Sequence, residues 1–324
     1  MEKIFDIVAL GEMLIDFTPC GKSEQGHELL EANPGGAPCN MLAMAAKLGA
    51  KTAFIGKVGA DSFGKMLKQA AENAGICTNG MVLDEKVFTT LAFVHLDQSG
   101  DRSFSFCRKP GADTCLRADE LRRDIIQNAK IFHIGTLSMT DEPAKTATQE
   151  AVLLAKNSGA IISFDPNIRP LLWENIDRAK ETMEWGFARC DILKISDDEL
   201  KLATGVADNQ LAIDKLLARY PNIHLAFVTM GKDGCLWRCG ERSGTCASPE
   251  VRTIDTTGAG DTFMGCCLAL VAQKELCNLT DREIADMVRF ANAAAAIVTT
   301  RKGALQSMPK RDEVNQLLKD FNRN

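Results

Sequence analysis

Short apolar runs alternate with longer amphipathic stretches along most of this chain, and this alternation restricts the fold more than any other feature. The runs are continuously apolar, which is typical of parallel strands in a sheet covered by helices on both faces. We therefore expect an α/β fold with a mostly parallel central sheet. The predicted strands are Asp6–Leu10, Thr52–Val58, Ile131–Ile134, Ala160–Phe164, Asp191–Ile195 and His224–Thr229. The predicted helices are Cys39–Leu48, Ser62–Asn73, Glu142–Asn157, Asn175–Ala188 and Asn209–Ala218.

Two segments, at about residues 17–34 and 88–109, do not follow this alternation. The first is polar, and the second has the pattern of a β-hairpin with its turn at Ser99–Asp101. In the hairpin Phe104 and Phe106 alternate with serines, which predicts one apolar and one exposed face. We expect one domain over the whole chain with these insertions forming a small β lid; the alternative is an ordinary edge hairpin. An exposed apolar face also favours pairing of the lid with a second copy, in a homodimer.

Composition argues against several classes of protein. The formal net charge is −5 and no Lys/Arg block occurs, so we expect no nucleic-acid partner. No apolar run approaches the roughly 18 residues of a membrane span, so we expect no membrane insertion. The twelve cysteines are scattered, and the N-terminal residues lack the apolar core of a signal peptide. We interpret the cysteines as free thiols, including Cys235, Cys239 and Cys246, and expect a cytoplasmic location.

The strongest chemical signal is D-T-T-G-A-G-D-T-F, Asp255–Phe263. Gly258, Ala259 and Gly260 precede an apolar helix whose free N–H groups form an anion site. Asp261 in the first turn gains only ~0.3–1 kcal/mol from the helix dipole, which explains the acid but not the glycines. Phosphoryl transfer accounts for both features. The amides stabilise the moving phosphoryl group, and the carboxylate accepts the proton of an attacking hydroxyl.

Three further segments place polar residues beside predicted strands or helices. Asn33–Asn40 reads N-P-G-G-A-P-C-N, and its glycines suit either close approach of a ligand or a helix-entry turn. Phe164–Pro170 and Lys194–Leu200 follow predicted strands, at the sheet edge where open α/β folds bind ligands. A stiff polar loop explains the former equally well. In the latter, Ser196 and Glu199 have the spacing of a helix capping box.

Together these motifs resemble the ribokinase-like (PfkB) family of carbohydrate kinases. D-T-T-G-A-G-D-T-F is similar to the C-terminal signature of that family and P-G-G-A-P-C-N to its first signature. The intervening G-K-V-G-A-D-S-F-G, F-D-P-N-I-R, K-I-S-D-D-E-L and V-T-M-G-K-D-G match in order, so the resemblance covers essentially the whole chain. G-E-M-L-I-D-F, R-S-F-S-F-C-R-K-P-G-A-D and D-P-N-I-R-P-L-L-W resemble fructokinases most closely. The resemblance implies a ribokinase-like three-layer fold.

The resemblance also implies a role for individual residues. Asp261 would be the catalytic base, and the anion hole would be formed by Gly258, Ala259 and Gly260. The sugar would be bound by Asp16, Gly35, Gly36 and Asn40, with Arg108 and Arg169 near the sugar or phosphate. ATP would be bound near Lys194, Ser196, Glu199, Thr229, Gly231, Gly234 and Asn292, with Glu199 supporting Mg²⁺ through water. A monovalent cation such as K⁺ would lie near Asp255, Thr257, Val298, Arg301, Gly303 and Ser307.

The implied activity is ATP-dependent phosphorylation of a sugar hydroxyl, with fructose giving fructose 6-phosphate as the expected reaction. The alternatives within the family are 2-keto-3-deoxygluconate kinase or another sugar kinase. Cys39 and Cys107 replace residues commoner in the family around the sugar site, which concerns the identity of the sugar and not phosphoryl transfer. A non-catalytic sugar or nucleotide sensor on the same fold is a separate alternative. Asp261 favours the enzyme, because a sensor does not require a carboxylate there.

Overall fold

The computed structural model describes residues 3–96 and 102–321, so the turn predicted at Ser99–Asp101 lies outside the described residues. The strands in chain order are β1 (Phe5–Leu10), β2 (Leu14–Lys22), β3 (Glu28–Gly35), β4 (Thr52–Gly59), β5 (Ile76–Asp84), β6 (Leu91–Leu96), β7 (Arg102–Cys107), β8 (Ala129–Ile134), β9 (Ile161–Phe164), β10 (Ile192–Ser196), β11 (Leu225–Thr229), β12 (Cys235–Cys239) and β13 (Arg242–Cys246). The α-helices are α1 (Ala37–Lys47), α2 (Ser62–Asn73), α3 (Arg123–Gln127), α4 (Ala144–Asn157), α5 (Ile176–Phe187), α6 (Asp197–Thr204), α7 (Asn209–Arg219), α8 (Ala259–Val271), α9 (Asp281–Thr299) and α10 (Arg311–Phe321).

The central sheet is nine-stranded in the described part of the chain, with the order β13-β12-β11-β10-β9-β8-β1-β4-β5. All neighbours from β11 to β5 are parallel, and β12 and β13 extend the sheet antiparallel. This confirms the predicted mostly parallel α/β fold. Leu10 at the end of β1 pairs with Ile55 of β4 and with Ile134 of β8. After β1 the chain forms β4 and β5 on one side of it and later β8 to β11 on the other, so the strand order reverses at β1. In open α/β sheets a crevice lies at the carboxyl edge of such a reversal.

Helices cover both faces of this sheet and give the three layers. Alternate residues of a strand point to opposite faces, and β1 shows this directly. Ile7 and Ala9 pack with the core formed by α1, α2, α8, α9 and α10. Val8 and Leu10 pack with the core formed by α3 to α7. All four side chains are fully buried, which explains why β1 reads as an unbroken apolar run.

A separate four-stranded sheet stands beside the main one, with the order β3-β2-β6-β7. Its two hairpins are antiparallel, and β2 joins β6 in parallel. Phe17 of β2 stacks on Phe93 of β6, with ring centroids 5.0 Å apart. The same ring meets the edge of Phe63 of α2 at 5.6 Å, so aromatic packing anchors the small sheet to the body.

None of the helices in residues 3–96 and 102–321 has both the length and the apolar character needed to cross a membrane.

Candidate active site

A cleft of about 650 Å³ separates the small sheet from the carboxyl edge of the main sheet. It collects residues from several distant parts of the chain. The predicted site residues that line it are Asp16, Gly36, Asn40, Arg169, Lys194, Ser196, Glu199, Thr229, Asp255, Thr257, Gly258, Ala259, Gly260, Asp261 and Gly303. The predicted site residues outside this lining are Gly35, Arg108, Gly231, Gly234, Asn292, Val298, Arg301 and Ser307.

The N-terminus of α8 opens into this cleft. Gly258 is its N-cap residue, with φ of 79°, and no described side chain caps the helix, so its first amides are available to an anion. A Cβ at Gly258 would lie 2.7 Å from the Cβ of Ala304, and a Cβ at Gly260 would lie 2.9 Å from Nζ of Lys194. Both glycines are therefore explained by close packing. The position of Gly260 also shows that the Lys194 ammonium lies beside the helix N-terminus.

Asp261 lies in the first turn of α8 and faces the cleft. Its Oδ2 accepts a hydrogen bond of 2.8 Å from Nδ2 of Asn40, which belongs to α1. Desolvation by the surrounding protein raises the pKa of Asp261, and the bond from Asn40 and the charges of Lys194 and Arg169 oppose that rise. A carboxylate with a raised pKa and a fixed orientation is suited to accept a proton.

Asp16 of β2 is a second carboxylate in the cleft. Burial raises its pKa to about 7, with a further rise from Asp255 and Asp261, while Arg169 opposes the shift. A Cβ on Gly35 would lie 2.3 Å from Oδ2 of Asp16, so that glycine makes room for the carboxylate without lining the cleft itself.

Gly36 joins the small sheet to α1, and only glycine fits at this position because of the backbone conformation and a close contact with the loop after β1. Its φ is 122°, and a Cβ there would lie 2.5 Å from the carbonyl oxygen of Glu12. The loop after β1 therefore passes directly against the glycine pair, which brings the start of α1 to the crevice.

The raised pKa of Asp16 has a consequence for stability. The pKa of this carboxyl is near 3.8 in the unfolded chain and about 7 in the folded protein. Its contribution to folding stability is therefore fully present below pH 3.8 and is lost as the pH rises through about 7. We expect Asp16→Asn to raise the Tm of the ligand-free protein at pH 8 and to leave Tm almost unchanged at pH 4. Thermal unfolding at the two pH values measures this. Equal shifts at both values would contradict it.

Lys194 of β10 is buried and forms an ion pair with Asp165, which follows β9. Its Nζ lies 3.2 Å from Oδ1 and 3.0 Å from Oδ2 of Asp165. Burial lowers the pKa of Lys194, but Asp165 and Glu199 outweigh burial and raise it. The ammonium therefore remains charged next to the amides of α8, where it increases the attraction for an anion.

Glu199 supports the loop that follows β9. Its Oε2 accepts from the backbone N–H and hydroxyl of Ser196, which confirms the capping box at the start of α6. Its Oε1 accepts from the backbone N–H of Ile168 at 2.7 Å. The preceding Asn167 has φ of 46°, a value that non-glycine residues seldom adopt, and it lines the cleft. Glu199 thus holds a strained loop that also carries Arg169.

Arg108, which the resemblance places near the sugar or phosphate, is held by hydrogen bonds within the protein. The structure does not place it in the cleft lining, because its guanidinium is buried among protein acceptors. Nε donates to Asp113 at 2.8 Å, one terminal nitrogen donates to Thr140 at 2.9 Å, and the other donates to the carbonyl of Leu137 at 2.7 Å. Leu137 does line the cleft, so Arg108 acts on its wall from behind and does not point into it.

The cleft lining does not include Gly231, Gly234 or Asn292, which the resemblance places near the nucleotide. Asn292 of α9 donates to the carbonyl of Cys246 at 2.8 Å. A Cβ at Gly234 would lie 2.1 Å from the same carbonyl oxygen. Asn292 and Gly234 therefore both pack against the segment that follows β13. Thr229, at the end of β11, does line the cleft.

The residues predicted to surround a monovalent cation come from two adjoining loops. Asp255 N donates to the carbonyl of Thr299 at 3.0 Å, which joins the loops, and Oδ1 of Asp255 accepts from the N–H and hydroxyl of Thr257. In the second loop, Oγ of Ser307 donates to the carbonyl of Gly303 at 2.6 Å. This arrangement brings backbone carbonyls and hydroxyls together, which are hard oxygen ligands.

Val298 lies in the last turn of α9, and Arg301 follows that helix. The carbonyl of Val298 accepts from the backbone N–H of Arg301 at 3.2 Å, and the Arg301 guanidinium contacts the carbonyl of Ser307 and the carboxylate of Glu313. No group of three or more His, Cys, Asp or Glu side chains that could hold a metal ion occurs among the described residues.

Glu12 is a cleft residue that the sequence reasoning missed. It follows β1, is 3% exposed, and its Oε1 accepts from the backbone N–H of Ala37 at the start of α1, at 3.0 Å. Burial raises its pKa to about 7. The signal was present, because an acid directly after a buried strand lies at the same sheet edge as the other polar loops.

The chain matches the pfkB family of carbohydrate kinases over residues 5–311 and belongs to that family. It is thus a sugar kinase, an ATP phosphotransferase, and the family and the ribokinase-like fold predicted from the motifs are confirmed.

Among curated relatives, fructokinase-1 of Zea mays is 39% identical over 317 residues, 96% of this chain and 97% of that protein. Among solved structures, a fructokinase from Xylella fastidiosa with bound ATP has a TM-score of 0.89 at 33% identity, over 98% of this chain and 100% of that one. A fructokinase double mutant from Vibrio cholerae O395, with fructose, ADP and potassium ion bound, has a TM-score of 0.87 at 30% identity, over 98% and 99%.

Proposed function

We propose that this sugar kinase phosphorylates D-fructose to fructose 6-phosphate with ATP as donor and Asp261 as the base. The observation that carries the proposal is the position of Asp261, held by Asn40 beside the free amides of α8. The names of the relatives, which are fructokinases from plants and bacteria, support fructose as the sugar.

In this mechanism the N-terminus of α8 binds the γ-phosphoryl group that is transferred. The sugar hydroxyl attacks the γ-phosphoryl group while Asp261 accepts its proton. The amides around Gly258–Gly260 stabilise the negative charge that develops on the phosphoryl oxygens. The Lys194 ammonium lies next to Gly260 and adds to this stabilisation.

The sugar is bound from the opposite wall, by Asp16 and Asn40, with Gly36 allowing close approach and Arg169 nearby. Oδ1 of Asn40 is buried and has no hydrogen-bond partner within the described chain. A buried acceptor of this kind is normally satisfied. A hydroxyl of the bound sugar supplies the missing donor, while Nδ2 of the same amide holds Asp261.

Mg²⁺ and K⁺ belong to the same proposal. Mg²⁺ retains several waters and is held mainly by substrate phosphates, which fits a cleft where Glu199 is the carboxylate that would support it through water. When bound, it neutralises charge on the triphosphate. The oxygen-rich pair of loops around Asp255 and Ser307 fits K⁺.

A coupled assay with a panel of sugars tests the choice of substrate. We expect kcat/KM for fructose to exceed the values for ribose, glucose and 2-keto-3-deoxygluconate. Turnover of 2-keto-3-deoxygluconate without turnover of fructose would refute the assignment. Binding of sugar and ATP with no turnover of any sugar would favour a sensor.

We further propose that the small sheet acts as a lid over the sugar and pairs with a second copy of the chain. β7 is an edge strand of that sheet, and an edge strand is open to pairing. Sedimentation analysis is expected to give a dimer, and a monomer at all concentrations would contradict this. The expected cytoplasmic location remains a prediction from the sequence.

A further inference from the structure

A much smaller cavity, of about 10 Å³, adjoins the cleft and shares part of its lining. One water molecule requires roughly 10–15 Å³ and two to four polar partners. The cavity meets both conditions. Its polar lining consists of Glu12, His133, Thr136, Asp165, Asn167 and Asp261.

Glu12 is a buried titratable group to which the proposed mechanism gives no role. It lines both the small cavity and the cleft, and the N–H of Ala37 fixes one of its oxygens. Arg108, Asp113 and Cys39 are close enough to interact electrostatically with Glu12, and none of them lines the cavity. Burial raises the pKa of Glu12 to about 7, against its backbone hydrogen bonds and the charge of Arg108. Its carboxyl group can therefore gain and lose a proton near neutral pH.

The other ionisable groups on the cavity wall are already engaged. His133 shares a hydrogen bond of 2.9 Å between Nδ1 and the hydroxyl of Ser163, and burial lowers its pKa to about 3, so it stays neutral. Both oxygens of Asp165 contact the Lys194 ammonium. Glu12 is thus the carboxyl group best placed to exchange a proton with the catalytic base.

We propose that this cavity holds one water molecule bonded to both Asp261 and Glu12, and that Glu12 receives through it the proton taken from the sugar hydroxyl. The inference rests on the proposed role of Asp261 as the base. It makes Glu12 a positioning and proton-holding residue that acts through the base.

The hydroxyl oxygen bonds to the γ-phosphorus as the bond from that phosphorus to the bridging oxygen of ADP breaks. The hydroxyl proton moves to Asp261. In the same step the cavity water accepts that proton from Asp261 and donates one of its own protons to Glu12, so the water is regenerated. Glu12 also lines the cleft, so it returns the proton to solvent there after the products leave.

Two variants interrupt this route in different ways. Glu12→Gln keeps the shape of the side chain and an oxygen for the N–H of Ala37, but the amide cannot take up the proton. Gly135→Ala leaves Glu12 intact. Gly135 lines the cavity, and apart from its chain neighbours a Cβ there meets one described atom within 4 Å, the carbonyl oxygen of Asp165 at 3.2 Å. The added methyl group takes up space at the cavity wall, and we expect it to displace the water.

The experiment measures single-turnover fructose phosphorylation by rapid quench, in mixtures of H₂O and D₂O, so that the transfer step itself is observed. Each variant is expected to slow transfer by about tenfold, less than loss of the base itself. The double variant is expected to be no slower than the slower single variant, because both interrupt one route. The wild-type rate should fall along a curve as the deuterium fraction rises, which indicates two moving protons. The variants should follow a straight line.

Several results would overturn the proposal. One is a transfer rate in the double variant that falls by the product of the two single losses. Another is a wild-type rate that falls along a straight line with the deuterium fraction. A third is a raised KM for fructose with an unchanged transfer rate in Glu12→Gln, which would indicate that Glu12 contacts the sugar directly. Melting temperatures confirm that the variants are folded. Asp261→Asn separates the two levels of inference. If it remains active, the base assignment fails; if it is inactive while both cavity variants behave as wild type, the water route alone fails.

Discussion

Asp261→Asn is expected to lower kcat by roughly 10²–10⁴-fold while sugar and nucleotide still bind. Asparagine has the shape of aspartate and keeps an oxygen for the hydrogen bond from Asn40, but it cannot accept the hydroxyl proton. The helix amides and Lys194 remain in place, so the anion site persists. A coupled assay gives kcat, and calorimetry gives the affinities for fructose and a non-hydrolysable ATP analogue.

The same chemical change at Asp177 is the matched control. Asp177 lies in the first turn of α5, as Asp261 does in α8, but it is exposed and outside the cleft. We expect Asp177→Asn to leave kcat unchanged. Near-normal turnover of Asp261→Asn would show that another group takes the proton. An equal loss in both variants would point to a general effect of helix charge.

Lys194→Met is expected to reduce the free energy of unfolding by about 3–5 kcal/mol, since it leaves the buried carboxylate of Asp165 without its partner. It should also remove most activity, because the ammonium beside Gly260 is lost. Urea denaturation measures the stability. Adding Asp165→Asn to Lys194→Met removes the unpaired charge and should restore much of the stability but not the activity.

An exposed ion pair provides the comparison. On α5, Nη1 of Arg178 lies 3.2 Å from Oε2 of Glu181, and the two side chains are 59% and 66% exposed. Because water screens such a pair, Arg178→Met should lower the free energy of unfolding by at most about 1 kcal/mol. If Arg178→Met and Lys194→Met cost the same, burial of the Lys194–Asp165 pair is not what makes it important.

The sequence predicted the buried elements best. The helix Ser62–Asn73 has the predicted bounds, and the predicted strands agree with the structure to within two residues. β5 was not predicted, because it is an edge strand whose residues alternate between buried and partly exposed. β12 and β13 were also missed. They are short, polar in part, and antiparallel, so they do not show the apolar runs of the parallel strands.

In the candidate site, positions set by local motifs were predictable, whereas positions that depend on contacts with distant residues were not. Asn40 and Asp261 follow glycine turns at the start of helices, and those turns are visible in the sequence, whereas Asp16 was expected only from the family resemblance. All three residues line one cleft. The direction of Arg108 was not visible, since its acceptors come from distant residues. Glu12 was missed for a related reason, because its burial depends on the packing of α1 against the loop after β1.

The two cleft carboxylates Asp16 and Asp261 belong to different layers of the fold, and this placement has an evolutionary consequence. Asp16 lies on β2 of the small sheet, whereas Asp261 lies in the first turn of α8, which packs on the large sheet. Gly35 and Gly36 connect the small sheet to α1. Substitutions along β2 and β3 can therefore reshape the acceptor pocket while the phosphate chemistry stays intact. New sugar preferences in such kinases should accumulate on the small sheet, and the start of α8 should tolerate almost no change.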